Sequence, residues 1–171
     1  GEIWHMLDTR FRIPVTMTTA SRLASIDLDS YNVLIITGSP DVSSAGIENI
    51  RIWNRRGGTI IGYKSGNSWL ARNKLAEIEN VPDSEPAKTE GEYINRTNDN
   101  LSSQIPGSIF ETKLDLSHPL CYGYTSDRLP VFKSGASAAK KNGNIYNNPV
   151  TYSENPLLSG YCSDANAGRI A

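Results

Sequence analysis

The sequence lacks a hydrophobic run long enough to cross a membrane. A spanning helix needs roughly 18 or more consecutive apolar residues. The run Val-Leu-Ile-Ile at positions 33–36 is among the longest uninterrupted runs of large apolar residues in the sequence. No secretory signal pattern opens the chain either, since it begins Gly-Glu-Ile-Trp without an initiator Met. The sequence therefore predicts no membrane insertion, and we expect it to be a piece of a larger protein.

Cysteine and histidine are also scarce. Cys121 and Cys162 are the two cysteines, and the chain has two histidines. Two cysteines are too few for a disulfide framework, and both a single pair and two free thiols fit the sequence. No Cys/His set has the spacing of zinc ligands. We therefore predict no metal site and no cofactor in this chain.

Charge of one sign is not concentrated anywhere in the sequence. The 17 Lys and Arg residues nearly balance 18 Asp and Glu residues, which gives a net charge of −1. No Lys/Arg-rich run is present, so nothing indicates a nucleic-acid partner. With 38% hydrophobic and 20% charged residues, the composition is typical of a folded globular chain.

Buried strands and amphipathic helices alternate in the first half of the chain. The apolar runs at 33–36 and 59–61 do not alternate with polar residues, which is typical of central parallel strands. Helices are predicted at 44–56, before Gly57-Gly58, and at 67–78. This order predicts an α/β fold, three-layer and flavodoxin-like, with a mostly parallel sheet.

The remaining elements are assigned from shorter patterns. Residues 80–107 are polar and aperiodic, and we expect an excursion there with a turn or two of its own. Residues 109–116 alternate apolar and charged side chains, which favours an edge or half-exposed strand over a central one. The other predicted elements are a helix at 2–10, strands at 13–19, 129–135 and 148–153, and a short helix at 163–171.

The segment Gly62-Tyr63-Lys64-Ser65-Gly66 joins a predicted strand to a predicted helix. Its small-x-nucleophile-x-Gly spacing is that of a nucleophile elbow, the turn that exposes a catalytic Ser or Cys. The apex here is Lys64, whose ordinary pKa near 10.4 keeps it charged. Ser65 follows one position too late. We therefore interpret the segment as the shell of an elbow.

The last third of the chain is rich in tyrosine and asparagine. His118, Tyr122 and Tyr124 lie within seven residues, around Pro119. We predict that Tyr122 or Tyr124 packs beside the elbow turn and fills the space of a substrate; a scaffold role far from the turn is the alternative. The tyrosines and asparagines also allow a glycan-binding surface, formed by Tyr122, Tyr124, Tyr146, Tyr152 and Tyr161 with Asn142, Asn144, Asn147 and Asn148.

Several of these stretches together resemble one domain family. They are GEIWHMLD, YNVLIITGS, GGTIIGYKSG, HPLCYGY, LPVF and LLSGY. The sequence is similar to the class I glutamine amidotransferase-like domain appended to bacterial carboxypeptidase A-like zinc carboxypeptidases. The resemblance covers most of the chain, and is weakest at 80–105. It implies a single domain over 1–171 that is trimmed at both ends of the parent protein.

The resemblance also implies a function without catalysis in this chain. Amidotransferase triads end in His-Pro-Glu, and Leu120 follows His118-Pro119 here. The zinc and its His-x-x-Glu signature would belong to an upstream peptidase domain of the same secreted or periplasmic protein. We expect an accessory pseudoenzyme domain that orients or docks the peptidase domain or its substrate. An independent amidotransferase-like hydrolase and a carbohydrate or peptidoglycan-binding module are the two alternatives.

Overall fold

The computed structural model describes residues 1–82 and 104–170 of the chain. The chain divides into two compact units, Gly1–Glu77 and Ile78–Ala171. Most of the predicted excursion at 80–107 lies outside the described residues.

The first unit contains a pair of strands and the helices that cover them. Helix α1 (Glu2–His5) is short and continues as a π-helical turn, Met6–Arg10. Two 3-10 turns, Ala20–Ala24 and Leu28–Ser30, lead into the first strand. The regular elements are α1 (Glu2–His5), β1 (Val33–Ile36), α2 (Ser44–Arg55), β2 (Thr59–Gly62) and α3 (Gly66–Arg72).

Strands β1 and β2 are parallel neighbours, as the two unbroken apolar runs predict. Val33 pairs with Thr59 at one end of the ladder, and Ile36 pairs with Gly62 at the other. Helix α2 makes the crossover between them. Ile60 of β2 packs against the buried core of this unit, which forms from residues of β1, α2, α3 and the 3-10 turns: Leu23, Leu28, Ile36, Ile50, Trp53, Trp69 and Leu70.

Helix α2 begins and ends where its sequence indicates. The Ser43 side chain accepts a hydrogen bond from the Gly46 N–H at 3.2 Å, which caps the first turn. Gly57 follows the last turn with φ of +108°, a conformation that favours glycine. Trp53 is buried, and its indole N–H donates to the Tyr31 carbonyl at 3.2 Å.

The second unit is built on an antiparallel sheet of three strands, in which β3 (Ser108–Leu114) lies between β4 (Arg128–Lys133) and β5 (Val150–Ser159). Its core includes Phe110, whose ring meets Tyr152 edge-on with centroids 5.9 Å apart. The elements are β3 (Ser108–Leu114), a 3-10 turn (Pro119–Cys121), β4 (Arg128–Lys133), a 3-10 turn (Ile145–Asn147), β5 (Val150–Ser159) and α4 (Asp164–Ile170).

The prediction of a three-layer, flavodoxin-like fold with a mostly parallel sheet is wrong. The described residues form a two-stranded parallel sheet and a separate three-stranded antiparallel sheet. The alternation of buried and exposed residues in β3 explains why the second sheet is antiparallel. Phe110, Thr112 and Leu114 are buried while the residues between them are more exposed, and such alternation suits a sheet with one covered face.

Three local predictions are also corrected. Strand β3 has one more exposed face, as its alternation predicts, but it is the central strand of its sheet and not an edge, because β4 and β5 pair with it on either side. Helix α3 ends at Arg72, and Lys74 follows with φ of +54°, which a helix cannot contain. Residues 13–19 form no strand, since β-branched content alone supplies no ladder partner.

Asn49 ties helix α2 to the 3-10 turns of the first unit. Its amide nitrogen donates to the carbonyls of Leu23 at 2.9 Å and Ile26 at 3.2 Å. We expect Asn49→Ala to lower the free energy of unfolding by about 1–3 kcal/mol, because two partly buried carbonyls lose their donor. Asn54→Ala, at an exposed site with one such bond, is the matched control and should cost less than about 1 kcal/mol. Equal denaturant midpoints for the two variants would contradict this.

Candidate functional site

The strand–turn–helix at residues 62–66 brings backbone unusually close to backbone. A Cβ on Gly66 would lie 2.1 Å from the Ile36 carbonyl oxygen, and one on Gly62 would lie 2.4 Å from the side-chain oxygen of Asn67. The Tyr63 N–H donates to the same Ile36 carbonyl at 2.9 Å. Gly66 is therefore required by the close approach of α3 to the end of β1, whereas Gly62 leaves room for the side chains of Asn67 and Leu70.

Lys64 forms the apex of this turn and has the backbone conformation of an elbow residue. Its φ is +54°, in the left-handed region that few non-glycine residues adopt. Its ammonium lies 3.1 Å from the Glu2 carboxylate and 5.3 Å from the centre of the Tyr63 ring. The Lys64 side chain is 61% exposed. The turn thus presents its apex side chain to solvent, as an elbow does.

The charge around Lys64 opposes its use as a nucleophile or base. The hydrogen bond from Lys64 and its positive charge lower the pKa of Glu2, and the same bond and the Glu2 charge raise the pKa of Lys64. A catalytic lysine needs the opposite shift, toward neutrality, so that it can lose its proton. Ser65 is the residue before α3, and its hydroxyl makes no capping bond to the helix.

His118 has a structural role in the turn that follows β3. Its Nδ1 accepts a hydrogen bond from the Leu120 N–H at 3.2 Å and so caps the 3-10 turn. The nearby Asp115 carboxylate accepts from both the N–H and the hydroxyl of Ser117, and these bonds lower its pKa. His118 therefore occupies the position of a turn cap.

The tyrosines of the last third are largely exposed. Tyr122 and Tyr124 are 69% and 50% exposed, and Tyr146 is 73% exposed. Tyr152 differs, because it packs in the core of the second unit and its burial raises its pKa. The elbow turn and Tyr122 or Tyr124 belong to different compact units, and the packing of these rings beside Lys64 stays a prediction.

The asparagines that the sequence offered as glycan contacts form a hydrogen-bonded loop. Asn148 accepts from the Asn142 N–H at 2.8 Å and donates to the carbonyls of Asn142 and Asn144 at 2.8 and 3.0 Å. The Asn144 side chain accepts from the Tyr146 N–H at 3.1 Å. Much of the amide capacity is thus used inside the loop, which holds Ile145 and Tyr146 outward.

The structure also adds residues that the sequence did not indicate. Glu2 is the partner of Lys64, and no local pattern connects two residues 62 positions apart. Leu120 and Ile145, 78% and 77% exposed, are among the most exposed aliphatic residues of the second unit. An isolated Leu or Ile in a polar loop carries no sequence signal of its own.

The described part of the chain offers no metal centre. No group of three or more His, Cys, Asp or Glu side chains within it is arranged to hold an ion. Cys121 is buried and Cys162 is partly buried, and both are free thiols. None of the described helices is long and apolar enough to span a bilayer.

The conformation of Lys64 can be tested with three substitutions that all remove the ammonium. We expect the melting temperature of Lys64→Gly to exceed that of Lys64→Ala by a few degrees, because glycine adopts the left-handed conformation without strain. Lys64→Val should be the least stable, since β-branched residues tolerate that conformation worst. Thermal unfolding followed by circular dichroism gives the order, and identical melting temperatures would argue against a left-handed apex.

Two asparagines of the hydrogen-bonded loop provide a second matched pair of alanine variants. Asn148→Ala should lower the free energy of unfolding by about 1–3 kcal/mol, because three hydrogen bonds are lost at a partly buried site. Asn147→Ala removes one bond, at 3.2 Å to Asn142, from an exposed residue and should cost about 0.5 kcal/mol or less. Urea denaturation compares the two, and an equal cost would mean that the loop does not depend on Asn148.

No family model matches this sequence, and no curated protein and no solved structure matches it either.

Proposed function

We propose that this chain is a non-catalytic accessory domain of a larger, secreted or periplasmic zinc carboxypeptidase-like protein. In that protein it docks on or orients the peptidase domain or its substrate. The observation that carries the non-catalytic part is the ion pair between Lys64 and Glu2 at the apex of the elbow turn. The relationship to zinc carboxypeptidases comes from the sequence motifs of the amidotransferase-like appended domain.

The elbow supports this proposal because it keeps the shape of a nucleophile turn without its chemistry. The glycines and the left-handed apex are the features that such a turn needs. The residue at the apex, however, is an exposed cation whose pKa is raised by its carboxylate partner. An amine that stays protonated cannot attack a carbonyl carbon.

The independent hydrolase is the weaker proposal. Its other candidate groups are Ser65 and His118, and a triad needs an imidazole free to accept a proton from the nucleophile. The Nδ1 of His118 instead accepts from the Leu120 N–H. Leu120, in the place of the triad carboxylate, is an exposed apolar side chain.

A binding module is the second candidate, and the exposed tyrosines favour it. Tyr122, Tyr124 and Tyr146 are all at least half exposed, and aromatic faces can stack on sugar rings. Against it stands the asparagine loop, whose amides bond to the loop's own backbone. Retention of the purified chain on a peptidoglycan or neutral polysaccharide column would favour this candidate over the accessory domain.

The non-catalytic reading predicts no turnover by the purified chain. Glutamine, ester and C-terminal peptide substrates should all be left unchanged, and added zinc should not induce activity. The control is Lys64→Ala, which should behave like the wild-type chain. A measurable rate that disappears in Lys64→Ala, with the circular dichroism spectrum preserved, would overturn the proposal.

The accessory reading makes a separate prediction about the parent gene. The coding sequence upstream of this chain should encode a His-x-x-Glu motif followed by a later His, the ligand set of the peptidase zinc. Removing this chain from the parent protein should lower the yield of folded peptidase or raise its KM for polymeric substrates, while kcat for small substrates should be retained. A gene that encodes this chain alone would contradict the accessory role, but it would not bear on the separate proposal that the elbow is non-catalytic.

A further inference from the structure

The loop between β4 and β5 contains an Asn-Gly pair, Asn142-Gly143. Of the asparagines in the sequence, only Asn142 is followed by glycine. Asparagine is a chemically labile residue, because its side-chain amide can react with the backbone nitrogen of the next residue. A glycine in that next position hinders the reaction least, since it has no Cβ and the widest backbone freedom. The pair is therefore the position in this chain where such a reaction meets the least steric resistance.

The backbone nitrogen of Gly143 is accessible and uncommitted. Gly143 is exposed, and a Cβ built on it would meet no atom within 4 Å. Within the described part of the chain, no group accepts a hydrogen bond from the Gly143 N–H. This nitrogen can therefore lose its proton to solvent without breaking a bond of the fold.

The side chain of Asn142 is folded forward over the Gly143 peptide. Its Oδ1 accepts a hydrogen bond from the Asn144 N–H at 2.9 Å. This bond closes a ring of atoms that contains both the Asn142 Cγ and the Gly143 nitrogen. The loop thus holds the amide carbon on the side of the backbone nitrogen that follows it.

A second donor reaches the same oxygen. The Asn147 side-chain nitrogen donates to the Asn142 Oδ1 at 3.2 Å. Attack on the Asn142 Cγ would put negative charge on this oxygen, and preformed donors aimed at such an oxygen stabilise the transition state. The Asn142 main chain is itself held by Asn148, which accepts from its N–H and donates to its carbonyl, both at 2.8 Å. The electrophile and its two donors are therefore positioned by the same loop.

We propose that Asn142 is a self-modification site, at which the Gly143 backbone nitrogen attacks the Asn142 side-chain amide. Solvent base takes the proton of the Gly143 N–H, and a bond forms between this nitrogen and the Asn142 Cγ. The bond from Cγ to Nδ2 breaks, and Nδ2 takes up a proton and leaves as ammonia. Water then opens the resulting cyclic imide at one of its two carbonyls, which gives aspartate or isoaspartate.

The modification changes the charge and the restraints of the loop. Residues 142–153 contain no Asp, Glu, Lys or Arg, and either product takes the net charge of the chain from −1 to −2. Aspartate keeps an oxygen where Asn144 and Asn147 donate. Isoaspartate instead lengthens the main chain between the groups that Asn148 holds, so we expect it to loosen the loop.

The inference is independent of the proposed function, since it concerns a reaction of the chain with itself. The test is incubation of the purified chain in mildly alkaline buffer over days, followed by ion exchange and by mass spectrometry of proteolytic fragments. A more acidic form should accumulate, with the mass gain of water for ammonia confined to Asn142. Asn67, which Ser68 follows inside α3, is the internal reference and should stay unmodified over the same time.

Two substitutions test the assigned groups. Gly143→Ala should slow the reaction by about tenfold or more, because a Cβ restricts the backbone on which the attack depends. The open space around Gly143 lets this variant keep its fold. Asn147→Ala should slow the reaction by about threefold or more, the contribution of one exposed hydrogen bond to the developing charge.

Asn144→Ala is the matched control for Asn147→Ala. It removes a different bond of the loop, from the Tyr146 N–H, and keeps both donors to Asn142. Its rate should therefore equal that of the wild type, and circular dichroism should show all three variants folded.

Four results would overturn the proposal. Asn142 might be modified no faster than Asn67, or Gly143→Ala might react at the wild-type rate, which would mean direct hydrolysis by water. An unchanged or faster rate in Asn147→Ala would show that its bond restrains the side chain and does not activate it. An equal slowing in Asn144→Ala would assign the effect to the order of the loop as a whole.

Discussion

The contact between α3 and the end of β1 is the constraint on which the first unit depends. Gly66 approaches the Ile36 carbonyl so closely that no side chain fits between them, and the Tyr63 N–H bonds to the same carbonyl. The chain must therefore reverse from β2 into α3 within a short turn, which puts Lys64 in the left-handed conformation. The side chain at such an apex points into solvent, where Lys64 finds the Glu2 carboxylate. The same backbone contact thus gives the turn its elbow shape and places its apex side chain in solvent.

A different constraint organises the second unit. Its sheet has one covered face, formed around Phe110, and the turns at its end are closed by side-chain caps rather than by further strands. Asparagine and histidine supply these caps, so polar groups that resemble a binding site are used within the fold. The apolar residues of the same turns remain exposed as a consequence.

The sequence allowed the local βαβα order to be predicted, because unbroken apolar runs, amphipathic periodicity and a Gly stop are all short-range signals. The parallel pairing of β1 with β2 follows from them and is confirmed. The predicted fold class is wrong because the second sheet is antiparallel. Whether strands with alternating side chains join an existing sheet or form a sheet of their own depends on long-range packing, which the sequence pattern does not show. The glycine spacing predicts the shape of the elbow. The ion-pair partner of Lys64 could not be predicted, because Glu2 lies 62 positions away in sequence.

Lys64, at the apex of the elbow, is an ammonium held by the Glu2 carboxylate. An NMR titration of the Lys64 side chain, with the ¹³Cε resonance assigned by comparison with Lys64→Ala, measures its protonation. We expect a pKa above the ordinary lysine value near 10.4, and a lower pKa in Glu2→Gln than in the wild type, because the hydrogen bond to a carboxylate is then lost. A Lys64 pKa shifted down toward neutrality would instead be the property of a catalytic lysine and would rule out a non-catalytic apex.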